Sequence, residues 1–466
     1  MPIEQCRNLI IGSGVAGKIL AWTLAKQGER TVVVERALIG GACPNIACLP
    51  SKNVIYSAKA AALVHPVTGL GVIAGKTTVD MAGVARRKRQ MVDDLVKLHL
   101  DNFKSSGAEL IMGEARFTGQ KTVHVELNDG GTAQWRGERV FINVGTRASI
   151  PDVPGLAEAS PMTHVEALNL ERLPRHLVVL GGGYVGLEFA QAMRRFGSEV
   201  TVIQRGPQLL GREDPDVAEA VLELMRDEGI NVLLQSDVRN VTGRSGEEVV
   251  LQVRSGTTER EIVASDILVA TGRTPSTDRL DVAAAGIELD QRGYVRVNDR
   301  LETNVPGVWA TGECAGSPKF THVGENDCRI VLENLSGGHR TTRDRLIPYC
   351  LFTDPELAHV GMTETEAREK KVPYRILRMP MSHVLRTRTL SEPRGFLKAL
   401  IDAEDRLLGF TAFGAEASEL MAVAQTAMLG RLPYTLLRDA IFTHPTAAEG
   451  LNGLFSNHPV EPDIVA

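Results

Sequence analysis

The sequence predicts an α/β fold: two units that each run strand, glycine turn, helix, strand, followed by a C-terminal α+β layer. Three observations carry this. An apolar strand meets Gly12-Ser-Gly14-Val-Ala-Gly17 near the start, a second copy meets Gly181-Gly-Gly183-Tyr-Val-Gly186, and the pattern changes after Pro348.

In the first unit, Asn8–Ile11 is a short apolar strand, Lys18–Gln27 an amphipathic helix, and Thr31–Val34 a second strand ending in Glu35. A lone GxGxxG is weak, but this one has a strand before it, a helix after it and an acid 23 residues past its first glycine. Glycines there let the backbone approach a pyrophosphate at the helix N-terminus, and Glu35 suits a ribose 2′-hydroxyl. The second unit repeats the pattern with strand Leu177–Leu180, a helix through Phe196 and strand Val200–Ile203. Two such Rossmann-like units imply two dinucleotides. The second strand ends in Gln204-Arg205, with Arg212 nearby and no carboxylate. Arg205 can pair with a 2′-phosphate that a carboxylate would repel, which favours NADPH over NADH; stacking of Arg205 on the adenine is the alternative.

Between the units, the helical pattern from Met81 to Phe103 gives way to a small strand region, and Phe141–Val144 runs into a turn at Gly145-Thr146. Matching strand–turns occur at Ile267–Gly272 and at Val308–Glu313, and Glu313 could reach a polyol of the first cofactor. Beyond Pro348, strands are predicted at Tyr374–Met379, Phe396–Ile401 and Leu407–Phe413, the last broken by a turn at Gly409, with helices at Ala417–Leu429 and Pro433–Asp439. The expected domains are 1–150, 151–275, 276–346 and 347–466.

The 466 residues exceed a single core. A hydrophobic content of 43% and a charged content of 23% are those of a globular protein, and 45 glycines fit many close backbone approaches to ligands. Net charge is −5, which gives no reason to expect nucleic acid or an anionic membrane as partner. Arg86–Arg89, the one basic cluster, reads as a solvated helix face. No apolar run reaches the ~18 residues of a membrane helix, and the start lacks the pattern of a signal peptide. Six cysteines do not make a disulfide scaffold, so a reducing, cytoplasmic setting is expected, where a disulfide is usually catalytic.

Two of those cysteines stand in Gly40-Gly-Ala-Cys43-Pro-Asn-Ile-Ala-Cys48-Leu-Pro-Ser-Lys52. Five helical steps would part their Cα atoms by ~8 Å, whereas a disulfide tolerates at most ~7 Å. One cysteine therefore belongs on a loop or distorted turn and the other just inside a helix, where the N-terminal field favours thiolate. A structural disulfide or two buried thiols remain open for an isolated CxxxxC; no second Cys/His pair supports zinc. Near the end, His444-Pro445 precedes Glu449. His444 could be a surface histidine, or a base whose tautomer Glu449 fixes.

In combination these motifs resemble, over essentially the whole chain, the class I pyridine nucleotide–disulfide oxidoreductases: lipoamide dehydrogenase, glutathione reductase, mercuric reductase and relatives. The resemblance implies two Rossmann-like domains plus a dimerisation domain, FAD with NADPH (or NADH), and a homodimer sharing its active sites. Cys43 would attack the substrate disulfide and Cys48 would lie against the flavin, with Lys52 near flavin N5 and paired with Glu188. His444, held by Glu449, would reach across from the partner subunit as acid/base. Gly12, Gly14, Gly17, Glu35, Arg36, Gly41, Ala42, Lys52, Gly145, Gly312 and Glu313 would serve FAD. Gly181, Gly183, Tyr184, Val185, Gly186, Glu188, Arg205, Gly272 and Arg273 would serve the nicotinamide cofactor. The C-terminal motif and the Gln-Arg strand ending are most similar to the reactive-chlorine-resistance, mercuric-reductase-like branch.

Ala42, Ala47 and Glu313 depart from the family's usual Thr, Gly and Asp. The N-terminal metal domain and C-terminal cysteine pair of mercuric reductases are missing from the sequence, and the retained His-Pro and Glu argue for a leaving thiol over mercury. Cys6, Cys314, Cys328 and Cys350 carry no motif and are expected to be structural, as is His322. The expected function is thus NAD(P)H-dependent reduction of a low-molecular-weight disulfide, since no redox-active tail follows His444. Alternatives are a metal-ion or oxidant-response reductase acting on Cu(II) or Hg(II) at the cysteine pair, and a dihydrolipoamide dehydrogenase subunit of a larger assembly.

Overall fold

A computed structural model describes residues 2–64, 70–72, 75 and 77–462. The first unit comprises β1 (Glu4–Ile11), α1 (Val15–Lys26), β2 (Thr31–Glu35), α2 (Ala42–Ile46), α3 (Cys48–Leu63), α4 (Met81–Ser106), β3 (Glu109–Gly119), β4 (Thr122–Leu127), β5 (Thr132–Ile142) and β6 (Thr146–Ala148). Its parallel layer is ordered β3-β2-β1-β5. Long β3 and β5 each leave that layer and are bridged by antiparallel β4. Every residue of β2 is buried, the near-continuous apolar run expected of a strand covered on both faces.

The second unit contains α5 (His164–Ala167), β7 (His176–Leu180), α6 (Tyr184–Phe196), β8 (Glu199–Ile203), α7 (Pro215–Asp227), β9 (Asn231–Leu233), β10 (Ser236–Gly243), β11 (Val249–Ser255), β12 (Thr258–Ala264), β13 (Asp266–Val269) and β14 (Arg273–Pro275). Parallel β13-β7-β8-β9 form its central sheet, β10-β11-β12 a separate antiparallel one, and β14 returns to pair with β6. The chain then rejoins the first sheet: β15 (Val308–Ala310) lies parallel to β5, with Val308 opposite Val140. After α8 (Thr321–Leu335) come β16 (Tyr349–Leu351), β17 (Glu356–Gly361), α9 (Glu364–Glu369), β18 (Arg375–Pro380), α10 (Leu385–Leu390), β19 (Phe396–Ile401), β20 (Leu407–Gly414), α11 (Ala417–Leu429), α12 (Tyr434–Asp439) and α13 (Gly450–Ser456). The antiparallel sheet β16-β17-β20-β19-β18 is the predicted α+β layer.

Two expectations need correction. β20 runs through Gly409 without a turn, and Gly409 lies opposite Gly361 in the β17–β20 register. A Cβ at 409 would sit 2.0 Å from the Met362 carbonyl oxygen, so the glycine serves a close backbone approach. Nor is Arg86–Arg89 simply a solvated face. Lys88 is buried and donates to Asn169 Oδ1 at 2.7 Å, Arg87 donates to the Asn53 carbonyl at 2.7 Å, and Arg89 pairs with Glu171 at 2.6 Å. The run ties α4 to α3 and to the second unit. Among the described residues, no helix is long and apolar enough to cross a membrane.

Candidate active site

The two glycine motifs fold alike for the same steric reason. Gly12 and Gly181 take φ of +94° and +109°, where a Cβ would stand 2.4 and 2.6 Å from the carbonyl oxygens of Asn143 and Ala270. At Gly17 and Gly186 a Cβ would meet the Gly12 and Gly181 carbonyl oxygens at 2.2 and 2.1 Å, so helix and strand can pack this closely only without side chains. Neither α1 nor α6 has a side-chain N-cap, Gly14 and Gly183 holding those positions. Apart from Gly17 N, which Asn143 takes up, first-turn amides are thus left for an anionic ligand. Both cradles fit the diphosphate of a dinucleotide.

Sequence reading missed what braces the first cradle. Asn143 Oδ1 accepts from Gly17 N at 3.0 Å, while its Nδ2 donates to the Thr311 carbonyl and hydroxyl at 3.0 and 3.1 Å. One buried amide therefore links the glycine turn to the Gly312-Glu313 turn. Glu35 Oε2 accepts from Ser13 N and Oγ at 2.8 and 2.7 Å, and its Oε1 accepts from Ala37 N and Leu38 N. Gln204 does the same in the second unit: Oε1 accepts from Gly182 N at 3.0 Å. Gly12 to Glu35 and Gly181 to Gln204 are both 23 residues, and this shared register was the signal available in the sequence. Gln204 keeps the hydrogen bond and removes the negative charge. Beside it Arg205 is exposed, whereas Arg36, its counterpart in the first unit, pairs with Glu114 at 3.4 Å.

Glu313 accepts from Thr146 Oγ1 and pairs with Arg273 Nε at 3.2 Å; Arg273 also donates to the Thr146 carbonyl at 2.8 Å. The extra methylene of Glu over Asp reaches this far, and the contact joins the turns at Gly145, Gly272 and Gly312. Gly41 lies against Gly14: a Cβ at 41 would be 2.5 Å from the Gly14 Cα, which brings Ala42 and Cys43 up to the first cradle.

The cysteines stand as the spacing requires. Cys43 is on the single turn of α2, Ala47 breaks the helix at φ −133°, ψ −109°, and Cys48 opens α3. Both are free thiols of intermediate exposure. Their surroundings separate them. The proton shared by Cys43, the Thr321 hydroxyl and the Lys52 charge outweigh burial and pull the Cys48 thiol down to about 6, while the same proton and burial push Cys43 well up. Cys48 is thus the member of the pair disposed to carry negative charge. Thr321, at the start of α8, is 3.3 Å from Cys48 Sγ and carried no motif to mark it.

One turn into α3, Lys52 Nζ donates to both oxygens of Glu188 at 2.9 and 2.8 Å and lies 4.6 Å from the Phe352 ring centroid. Glu188 is 6% exposed on α6 and also accepts from Phe352 N at 3.0 Å, so the pair fastens first unit, second unit and C-terminal layer together. Tyr184 donates to Glu213 at 2.6 Å and Tyr349 to the same carboxylate at 3.2 Å; burial pushes the Glu213 carboxyl up. Val185, next to Tyr184, is exposed at the N-terminus of α6.

His444 Nδ1 is 3.0 Å from both oxygens of Glu449, which fixes the tautomer and leaves Nε2 for chemistry. His444 is 63% exposed, and neighbouring Ile441 is fully so. In a single chain this dyad stands on the surface. The remaining cysteines have no such setting. Cys314 is fully buried, its Sγ facing the Ile142 and Thr311 carbonyls, and burial pushes its thiol up to about 11. His322 is held by the Pro348 carbonyl at 2.8 Å and stacks on Phe320.

Residues 7–327 match the pyridine nucleotide-disulphide oxidoreductase family, and residues 347–454 match its dimerisation domain. Among curated relatives, a probable pyridine nucleotide-disulfide oxidoreductase, RclA of Escherichia coli (strain K12), is 35% identical over 97% of this chain and 99% of its own. A mercuric reductase of Acidithiobacillus ferrooxidans is 34% identical over 96% and 82%, and a dihydrolipoamide dehydrogenase of Chaetomium thermophilum 32% identical over 96% and 90%. The solved structure of the HOCl-induced flavoprotein disulfide reductase RclA from Escherichia coli superposes with a TM-score of 0.87 at 35% identity, covering 97% of this chain and 99% of that one. Its Cu(II) complex superposes at 0.88. The chain belongs to the pyridine nucleotide–disulfide oxidoreductases, and is an FAD-dependent, NAD(P)H-linked enzyme with a dimerisation domain and a redox pair of thiols.

Proposed function

We propose that this protein is an NADPH-preferring reductase of a low-molecular-weight disulfide, working as a homodimer in the cytoplasm. Residues 1–150 and 276–346 would build the FAD side, 151–275 the NADPH side and 347–466 the interface. The observation that carries the reading is the thiol pair on α2 and α3, in which Cys48 opens α3 3.3 Å from the Thr321 hydroxyl and one turn from the Lys52–Glu188 pair, contacts that favour its thiolate. FAD, when bound, relays the hydride's electron pair from the nicotinamide to the cysteine disulfide. Cys48 then carries the thiolate that the Lys52–Glu188 pair and Thr321 hold in place. Cys43 gives its proton to Nε2 of His444 of the partner subunit and attacks one substrate sulfur as thiolate, forming a mixed disulfide. The partner subunit's His444, oriented by Glu449, delivers a proton from Nε2 to the departing sulfur. Cys48 thiolate next attacks Cys43 Sγ, releasing the second substrate thiolate and restoring the Cys43–Cys48 disulfide, ready for the next electron pair.

NADPH is favoured by the neutral Gln204 at the acid position beside the exposed Arg205. In the first unit the charged Glu35 and the paired Arg36 have the opposite character.

A second reading keeps the same thiols and takes Cu(II) or Hg(II) as the species reduced. It is favoured by the mercuric reductase relatives and by the Cu(II) complex of RclA. NADPH oxidation by the purified enzyme across oxidised small thiols, lipoamide, Cu(II) and Hg(II), with His444→Ala alongside, decides between them. Fast turnover of one disulfide, lost in His444→Ala, supports the first reading; turnover of metals alone, indifferent to His444, refutes it.

A further inference from the structure

Three turns meet where the chain crosses between the first and second units, and each puts a polar side chain directly after a glycine. In Gly145-Thr146, Gly272-Arg273 and Gly312-Glu313 the glycines take φ of +64°, +146° and +70°, backbone that other residues adopt only under strain. At Gly145 and Gly272 a Cβ would meet nothing within 4 Å, so the space beside both turns is open. Pairing of β6 with β14 sets Pro275 opposite Thr146 and brings the first two turns together.

The three side chains close on one another. Thr146 Oγ1 donates to Glu313 Oε2 and accepts from Arg273 Nε at 2.6 Å. Arg273 Nε is also 3.2 Å from that carboxylate oxygen, and Nη2 donates to the Thr146 carbonyl at 2.8 Å. Glu313 Oε1 and Arg273 Nη1 are left without a partner among the described residues, so each member of the pair keeps one polar atom for a ligand. The Arg273 and Glu313 side chains are 19% and 28% exposed, too sheltered to be an ordinary surface pair. Behind them, each turn is tied to its own cradle. Gly312 N donates to buried Asp327 at 2.6 Å, and Asn143 joins Thr311 to Gly17. Gly272 follows Ala270, whose carbonyl oxygen stands against Gly181.

We propose that Glu313 is a positioning residue for the nicotinamide cofactor: Oε2, together with the Thr146 hydroxyl, holds Arg273 ready for that cofactor, while Oε1 serves FAD, so that binding of one dinucleotide favours binding of the other. The inference rests on the reading that the Gly312-Glu313 turn serves FAD and the Gly272-Arg273 turn the nicotinamide cofactor. A free arginine loses rotamer freedom when it grips a ligand, whereas one already held by a carboxylate and a hydroxyl has lost it beforehand. FAD on Oε1 fixes the carboxylate and thereby the guanidinium, and the coupling is reciprocal. Side-chain length makes the link possible. The Asp usual in the family at this position would still offer FAD a carboxylate, but one methylene shorter it falls short of Thr146 and Arg273.

The test is NADP+ binding to the FAD-loaded enzyme by titration calorimetry, with FAD content read from absorbance for each variant. Glu313→Asp should keep FAD near the parent's content and weaken NADP+ about fivefold, the lower end of coupling between two sites. Arg273→Met should weaken NADP+ at least as much, and the double variant no further than Arg273→Met alone, because one residue acts through the other. Thr146→Val should behave like Glu313→Asp and Thr146→Ser like the parent, a rescue that general loosening of the fold would not give. Should Arg273→Met fail to fold, the two Thr146 variants decide the matter by the same readout. Unchanged NADP+ affinity in Glu313→Asp overturns the proposal. So do additive losses in the double variant, which would set the two residues on the cofactor independently, and loss of FAD in Glu313→Asp, which would assign the extra methylene to FAD itself. Failure of the underlying reading looks different: Glu313→Ala retaining all its FAD, or Arg273→Met binding NADP+ like the parent.

Discussion

Replacing Thr321 with Val should weaken the Cys48 thiolate by an amount the geometry sets. The parent Cys48 thiol sits at about 6, held there by the bond from Cys43, the Thr321 hydroxyl and Lys52. A hydrogen bond to a charged group contributes about 1.5–3 kcal/mol, and one pKa unit is about 1.4 kcal/mol. At 3.3 Å the sulfur–oxygen contact belongs at the low end, so the thiol should rise by about one unit. The folded-state value is depressed below the ordinary thiol value of 9.0. The thiolate is therefore populated above about pH 6 and protonated as pH falls through it, which is the sign expected for an acid stabilised in its charged form. In anaerobically reduced holoenzyme, the long-wavelength thiolate–flavin absorbance should disappear on acidification with a midpoint about one unit higher in Thr321→Val than in the parent. Thr321→Ser keeps the hydroxyl and should keep the midpoint. If Thr321→Val titrates with the parent, the contact is incidental, and Lys52 with the shared proton accounts for the depression.

Three other substitutions probe other parts of the molecule. Arg205→Glu should raise the KM for NADPH about tenfold, ~1.4 kcal/mol, with less effect on NADH; steady-state kinetics with both cofactors checks it, and an unchanged NADPH value removes Arg205 from 2′-phosphate recognition. Asn143→Ala leaves Gly17 N and the Thr311 oxygens without their shared amide, so the flavin should wash out faster during gel filtration under mild denaturant. Lys398 is 1% exposed and pairs with Asp214, Asp216 and Glu364 at 3.0, 2.9 and 2.9 Å; Lys398→Met strands three carboxylates between α7 and the C-terminal layer and should cost about 3–5 kcal/mol in urea unfolding.

Both glycine motifs, the cysteine pair and the C-terminal layer were legible because each is a local pattern. A glycine that must meet a carbonyl oxygen at 2.4 Å has to be a glycine, and a strand buried on both faces has to be apolar. The Lys52–Glu188 pair came from resemblance, since 136 residues separate its members. Thr321, Asn143 and Glu213 were illegible for a shared reason. Each is an ordinary polar residue whose importance arises from what a distant segment brings to it, as Thr321 meets a thiol 273 positions away. Gly409 misled because a glycine required by close backbone approach reads, in one dimension, like a glycine required by a turn. Lys88 misled likewise: nothing local distinguishes a solvated lysine from one whose amine finds Asn169 beneath it.

The electrostatics of the site follow from what stands around the two thiols. The shared proton of Cys43, the Thr321 hydroxyl and Lys52 pull the Cys48 thiol down, while the same proton and burial push Cys43 up. Lys52 is compensated by Glu188 at 2.8 Å. In the resting dithiol the negative charge sits on Cys48, stabilised by a hydrogen bond as well as a cation. Attack on substrate requires the charge to move to Cys43, away from those contacts. A thiolate stabilised too strongly loses intrinsic reactivity, so the attacking member is the one left away from the Cys48 contacts. The asymmetry between the two thiols is thus suited to a pair in which one member stores the charge and the other uses it.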